Sequence, residues 1–145
     1  MMTTAYILDS QGSPIEDVAF AFGSGHVSPQ KAADPGLIYD ISTKDYLTYA
    51  SDFQTGDLNY PSFAVQFSSS AKNTTSTYKR RVTNVGIAVS SYAVKVSEPQ
   101  GISIIVRPRV LNFRKIGQKL SYKVTFIAKG IVSTNFSFGS RVEFG

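Results

Sequence analysis

The feature that most constrains this chain is a succession of short apolar–polar alternations in its second half, each closed by a turn signal. Phe63, Val65 and Phe67 alternate with small or polar residues, as do Tyr92, Val94 and Val96, then Ile102, Ile104 and Val106. Leu120, Tyr122, Val124 and Phe126 give the longest set. A period of two puts every second side chain on one face, so each segment reads as a strand with one buried and one solvated side. Tyr78–Val85 reads as a further strand, Leu111–Phe113 as a short one and Phe136–Phe144 as one more; the polar stretch Ser68–Thr77 reads as a loop. Pro99-Gln100-Gly101, Pro108 and Gly117 supply the stops. About seven short strands with turns at intervals of roughly ten residues are the pattern of an antiparallel sandwich or barrel. Periodicity alone does not choose between those two.

Residues 1–57 have a different texture. Gly12, Pro14, Gly23, Gly25, Pro29, Pro35 and Gly36 are loop signals. One helix is expected, capped by Ser42 or Thr43, with Asp45 in its first turn and Tyr46, Leu47 and Tyr49 as its apolar surface. Another short helix is expected to end in Met1–Tyr6, as the tail of a longer element. This region has too little apolar periodicity for a core of its own and reads as a piece of something larger. The expected organisation is therefore a loop-and-helix remnant over 1–57 and a β domain over 58–145, with the boundary near Gly56.

Composition narrows the function. The chain has 145 residues and a formal net charge of +5. Lys79-Arg80-Arg81 is the densest basic run, and Arg107, Arg109, Arg114, Lys115 and Lys119 follow. Strand and turn positions facing solvent account for these. Nucleic-acid binding would need stacking aromatics interleaved with the cations, and none are visible. There is no cysteine, so disulfides, thiolate nucleophiles and Cys-based metal sites are excluded. No apolar run reaches the roughly 20 residues of a membrane span. Met1–Tyr6 has no basic run leading into an apolar one, so the chain as written reads as having no secretion signal.

Catalytic and ligand-binding candidates are few. His26 is the only histidine, in Phe22-Gly23-Ser24-Gly25-His26-Val27. Ser24 and Asp34 lie nearby in sequence, but a Ser-His-Asp site needs spatial convergence and an oxyanion hole. A structural histidine in a glycine-rich turn is the expectation. One histidine and ten scattered acids give no metal constellation, and no cofactor motif is present. Asn73-Thr74-Thr75 and Asn135-Phe136-Ser137 are N-glycosylation sequons.

Longer motifs carry a family resemblance. Met2-Thr3-Thr4-Ala5 and the run from Phe22 through Ser28-Pro29 to Asp34-Pro35-Gly36-Leu37-Ile38-Tyr39-Asp40 look like the C-terminal end of the catalytic domain of plant subtilases. Asp57-Leu58-Asn59-Tyr60-Pro61-Ser62-Phe63 resembles the lead-in to their fibronectin type III-like domain. Arg81-Val82-Thr83-Asn84-Val85-Gly86 and Leu120-Ser121-Tyr122-Lys123-Val124-Thr125-Phe126 resemble the same domain. The resemblance implies a fibronectin type III-like β-sandwich preceded by a remnant of the α/β catalytic domain. It implies a secreted, apoplastic serine endopeptidase as the parent. The catalytic Asp, His, Ser and oxyanion Asn would lie upstream of Met1, and His26 does not match the triad histidine. The catalytic domain is the implied partner, and a polypeptide the implied substrate of the intact enzyme.

Two departures stand out. The stretch between Tyr49 and Asp57 is shorter than in the family and lacks its cysteine. Arg141–Gly145 does not fit the family ending, so the expectation is a sandwich that lacks its final strand and has an open sheet edge. The alternative to an accessory part of a protease is a free-standing sandwich that binds a protein or an acidic cell-wall polymer.

Overall fold

The structure is a computed structural model and describes residues 2–13, 15, 23–51, 58–67, 74–129 and 141–144. A 3-10 turn at Met2–Thr4 opens it, followed by α1 (Pro29–Ala33), β1 (Leu37–Ile38) and α2 (Thr43–Ser51). Six strands follow: β2 (Thr75–Asn84), β3 (Ser90–Ser97), β4 (Ile102–Arg107), β5 (Val110–Phe113), β6 (Lys119–Ala128) and β7 (Arg141–Phe144). They form two antiparallel sheets, one ordered β1-β2-β6-β4 and the other β5-β3-β7.

The alternation read from the sequence is the alternation of burial. In β6, Tyr122, Val124, Phe126 and Ala128 are buried while Lys119, Ser121 and Lys123 are exposed. Val82 of β2, Ile104 and Val106 of β4, and Leu111 and Phe113 of β5 join them in one core, with Tyr92, Val94 and Val96 of β3 packed against it. Tyr92 meets Phe113 edge-on, with ring centroids 5.8 Å apart. Burial of each large apolar side chain contributes roughly 1.5–3 kcal/mol, so this cluster is what closes the two sheets.

Four expectations need correction. β2 begins at Thr75, inside the stretch expected to be loop. Its threonines suit a pleated surface, and the Thr77 and Thr125 hydroxyls meet at 3.0 Å across the β2–β6 pair. Phe63, Val65 and Phe67 do alternate in burial, yet among the described residues this segment joins no ladder. At Met2–Thr4 the expected helix end is a single 3-10 turn. β1 was not foreseen: it pairs Leu37 with Asn84 and Ile38 with Thr83, so the sandwich takes an edge strand from the first region. Asn73 and Asn135 lie outside the described residues, as do residues 136–140 of the expected last strand.

The turns at one end are stitched by Asn84, which is 0% exposed. Its side-chain Nδ2 donates to the Ile87 carbonyl (2.8 Å), and its Oδ1 accepts from the Gly86 N–H (3.1 Å). Its main chain donates to Gln118 O (3.0 Å) and accepts from Gly117 N (2.8 Å). The β2–β3 and β5–β6 turns are thereby one unit. Gly36 crosses the same place with φ +67, and a Cβ there would sit 2.8 Å from the Tyr92 hydroxyl. Its carbonyl accepts from the Val85 and Gly86 N–H groups.

Asn84→Ala removes a fully buried side chain and its bonds to the Ile87 carbonyl and the Gly86 N–H, and it is expected to cost about 2 kcal/mol. Urea denaturation should show a lower midpoint with unchanged slope, whereas Asn112→Ala on the exposed side of β5 should change stability by less than about 0.5 kcal/mol.

Candidate functional site on the edge of strand β2

The glycine-rich turn around His26 assembles no catalytic group. His26 pairs with Tyr6 through two backbone hydrogen bonds, 3.1 and 2.8 Å, and its exposed ring lies 5.5 Å from the Tyr6 ring. Gly25, at φ +96, is required because a Cβ would run into the Tyr6 carbonyl. No hydrogen bond joins the His26 ring to Ser24 or Asp34. Among the described residues no three His, Asp or Glu side chains converge to hold a metal ion, and no helix is long and apolar enough to cross a membrane.

The polar side chains that do converge lie along the outer edge of β2. Asn59 is the centre. Its Oδ1 accepts from the Arg81 backbone N–H (2.7 Å), and its Nδ2 donates to the Arg81 carbonyl (2.8 Å) and the Asp40 carbonyl (2.9 Å). A primary amide carries a donor and an acceptor side by side, so one side chain completes the edge as a strand residue would. The Asp40 carboxylate then accepts from the Thr83 hydroxyl (2.6 Å) and pairs with Lys119 (2.8 Å). Tyr39 and Tyr122 share a hydrogen bond of 2.5 Å between their hydroxyls.

Arg80 completes this clasp from inside. It is 3% exposed. Its Nε donates to the Tyr60 carbonyl (2.8 Å), Nη1 to Lys79 O (2.9 Å) and Nη2 to Ser62 O (3.4 Å). The guanidinium also lies 4.4 Å from the centre of the Phe63 ring and 5.7 Å from that of Tyr78. Phe63, Tyr78 and Phe126 pack together with centroids 5.3–6.0 Å apart. The segment 58–63 is therefore held to the sandwich by the Arg80 and Asn59 side chains.

The electrostatics follow from these contacts. Burial pushes the Tyr39 and Tyr122 hydroxyls above the usual tyrosine range, while the nearby Arg80 charge opposes that rise. The Lys119 and Thr83 hydrogen bonds hold the Asp40 carboxyl below its ordinary value of 3.8. Asp45 is lowered by the Ser42 backbone and hydroxyl, which it caps in return at the start of α2. Between α2 and the sheet lies an open cleft of about 380 Å³, with Asp45, Thr48 and Tyr49 on one wall and Asn59, Lys79, Arg81 and Ser121 on the other. No reacting group is set up in it; the arrangement can hold a chain segment and position charge.

The roles of Asn59, Arg80 and Asp40 were not assigned from the sequence, although Asn59 and Arg81 lie in two of the motifs that carried the family resemblance. The signal available was that an Asn and an Arg stood in two separated family motifs; it could not show that they meet.

Comparison with known proteins agrees with this architecture. The fibronectin type-III domain family matches residues 57–142. Subtilisin-like protease SBT1.2 of Arabidopsis thaliana is 42% identical over 158 residues, covering 89% of this chain and 20% of that protein. Subtilisin-like protease SBT5.3 of Arabidopsis thaliana is 37% identical over 171 residues, covering 98% and 22%. A subtilisin-like protease of Glycine max is 36% identical over 174 residues, covering 100% and 21%. The chain thus spans about a fifth of the length of the curated relatives it matches. Alignments of 171 and 174 positions exceed the 145 residues of this chain, so the relatives carry extra residues within the matched region. The chain belongs to the fibronectin type-III domain family, in the form shared with plant subtilisin-like proteases.

Proposed function

We propose that this chain is the non-catalytic C-terminal part of a subtilisin-like serine endopeptidase, and that its sandwich clamps the segment leading out of the catalytic domain. The observation that carries this is the clasp itself. Gly36, Tyr39 and Asp40 on one side, and Asn59 with the Arg80 partners Tyr60 and Ser62 on the other, are fixed to the sandwich, and the first group lies before the matched family region. Two further features favour a large protein partner. α2 buries none of its residues and exposes Tyr46, Leu47 and Tyr49. The turns joined by Asn84 expose Ile87, Val89 and Ile116. Apolar exposure at this level suits a surface covered by another part of the polypeptide. On this reading residues 1–57 are the end of the catalytic domain, proteolysis resides in the rest of the parent, and the intact enzyme acts outside the cell, where Asn73 and Asn135 would be glycosylation acceptors.

The test is to mix the 145-residue chain with a plant subtilisin-like protease from which the matching segment has been deleted. The expected result is a complex on gel filtration and recovered peptide cleavage, with none from the chain alone. Absence of a complex, or cleavage by the chain alone, overturns the reading. Asn59→Ala should weaken the complex and lower the chain's own stability by about 1 kcal/mol, because the exposed backbone groups of Arg81 exchange the amide for water.

Acid should loosen the clasp. The Asp40 pKa is lower folded than unfolded, so its contribution is present above about pH 4 and is lost as pH falls below that value. In thermal melts between pH 5 and 3, Asp40→Asn should flatten the decline seen in the native chain. At pH 7 the substitution should cost no more than about 1 kcal/mol, since the paired Lys119 side chain is 50% exposed.

A further inference from the structure

The outward face of the four-stranded sheet carries a row of cations in direct register. Lys79 of β2 stands opposite Lys123 of β6, and Lys123 stands opposite Arg107 of β4. All three are exposed. Neighbouring strands are about 4.8 Å apart, so the row presents positive charge at a regular short repeat across three strands. Like charges directly opposite one another destabilise a sheet. An acid at position 123 would relieve this, yet lysine stands there. Among the described residues no carboxylate lies within ion-pair distance of Lys123 or Arg107.

The surroundings extend the row into a track. At the β2 end it opens into the cleft lined by Lys79, Arg81, Ser121 and Asn59, with Asp45 and Tyr49 on the far wall. At the β4 end Arg107 and Arg109 line a second groove of about 650 Å³, where the one carboxylate, Glu98, is engaged by the Ile104 N–H. Beside the row lie the hydroxyls of Thr77 and Thr125, themselves opposite each other. A surface with cations in this register matches a linear chain that bears one charge per unit and hydroxyls between charges. The sheet face itself lacks the stacking aromatics that single-stranded nucleic acid uses, because the outward residues of β2, β6 and β4 are Thr, Lys, Arg, Ser and Ile.

We infer that this face is a binding site for a linear carboxylated polysaccharide, a polyuronate, laid across β2, β6 and β4 on Lys79, Lys123 and Arg107. The inference goes beyond the accessory role and holds whether or not the chain docks on a protease. Binding is electrostatic and lies at the surface, so it weakens as salt shortens the screening length.

The experiment is calorimetric titration of the full 145-residue chain with oligogalacturonate at low salt. Its methyl ester, which keeps the hydroxyls and loses the charge, is one control; a single-stranded oligonucleotide of equal charge is the other. The expected result is saturable binding of oligogalacturonate that weakens at least about tenfold in the double variant Lys123→Glu, Arg107→Glu. The neutral pair Lys123→Gln, Arg107→Gln should lose affinity in the same direction, and thermal melts should show both variants folded. No binding at low salt, affinity unmoved by either variant, equal binding of the methyl ester, or equally tight binding of the oligonucleotide would each overturn the assignment.

Discussion

Arg81 presents its backbone N–H and C=O to an edge of β2 that β1 covers only opposite Thr83 and Asn84. A bare strand edge invites pairing with other chains unless something covers it. Asn59 meets both groups of Arg81 with one amide and spends its remaining donor on Asp40. Three distant parts of the sequence, around residues 40, 59 and 81, are thereby fixed to one another. The rest of the clasp depends on that fixation, since it sets where Tyr60 and Ser62 place their carbonyls.

Those carbonyls are what make Arg80 tolerable inside. A buried guanidinium is costly unless its donors are satisfied. Here three backbone carbonyls accept from it, and the Phe63 and Tyr78 rings present their faces to the charge. The dependence runs both ways. Segment 58–63 is held by Arg80, and if the segment left, the cation would lose the acceptors at Tyr60 and Ser62. Its field also reaches the Tyr39–Tyr122 pair. Removal of any one member therefore disturbs several others, which is the mark of a cooperative junction.

The sequence showed burial more clearly than pairing. The alternations at Tyr92–Val96, Ile102–Val106 and Leu120–Phe126 became strands because a half-buried strand must show that period. Phe63–Phe67 shows the same period for the same reason, but alternation reports which side chains are buried and says nothing of backbone partners. β1 is two residues long, too short for any period to be seen. The α2 start was legible because its cap is local, with Ser42 and Asp45 three residues apart. The clasp was not, because Asn59 and Arg81 are 22 residues apart and only the fold brings them together. The family motifs marked both residues without revealing that they touch.

Register links the core to the charged face. Along β2 the side chains of Arg80 and Val82 turn inward, so those of Lys79 and Arg81 must turn outward. A slip of one residue would exchange the two sets. It would bury two cations without the acceptors of Tyr60 and Ser62, and it would expose Val82 and the present Arg80. It would also move the Arg81 backbone away from Asn59. The basic row on the outer face is the other side of that register: Lys79 faces Lys123 because the β2–β6 ladder and the burial of Val82 and Val124 fix the pairing, and the Asn59 and Arg80 contacts agree with it.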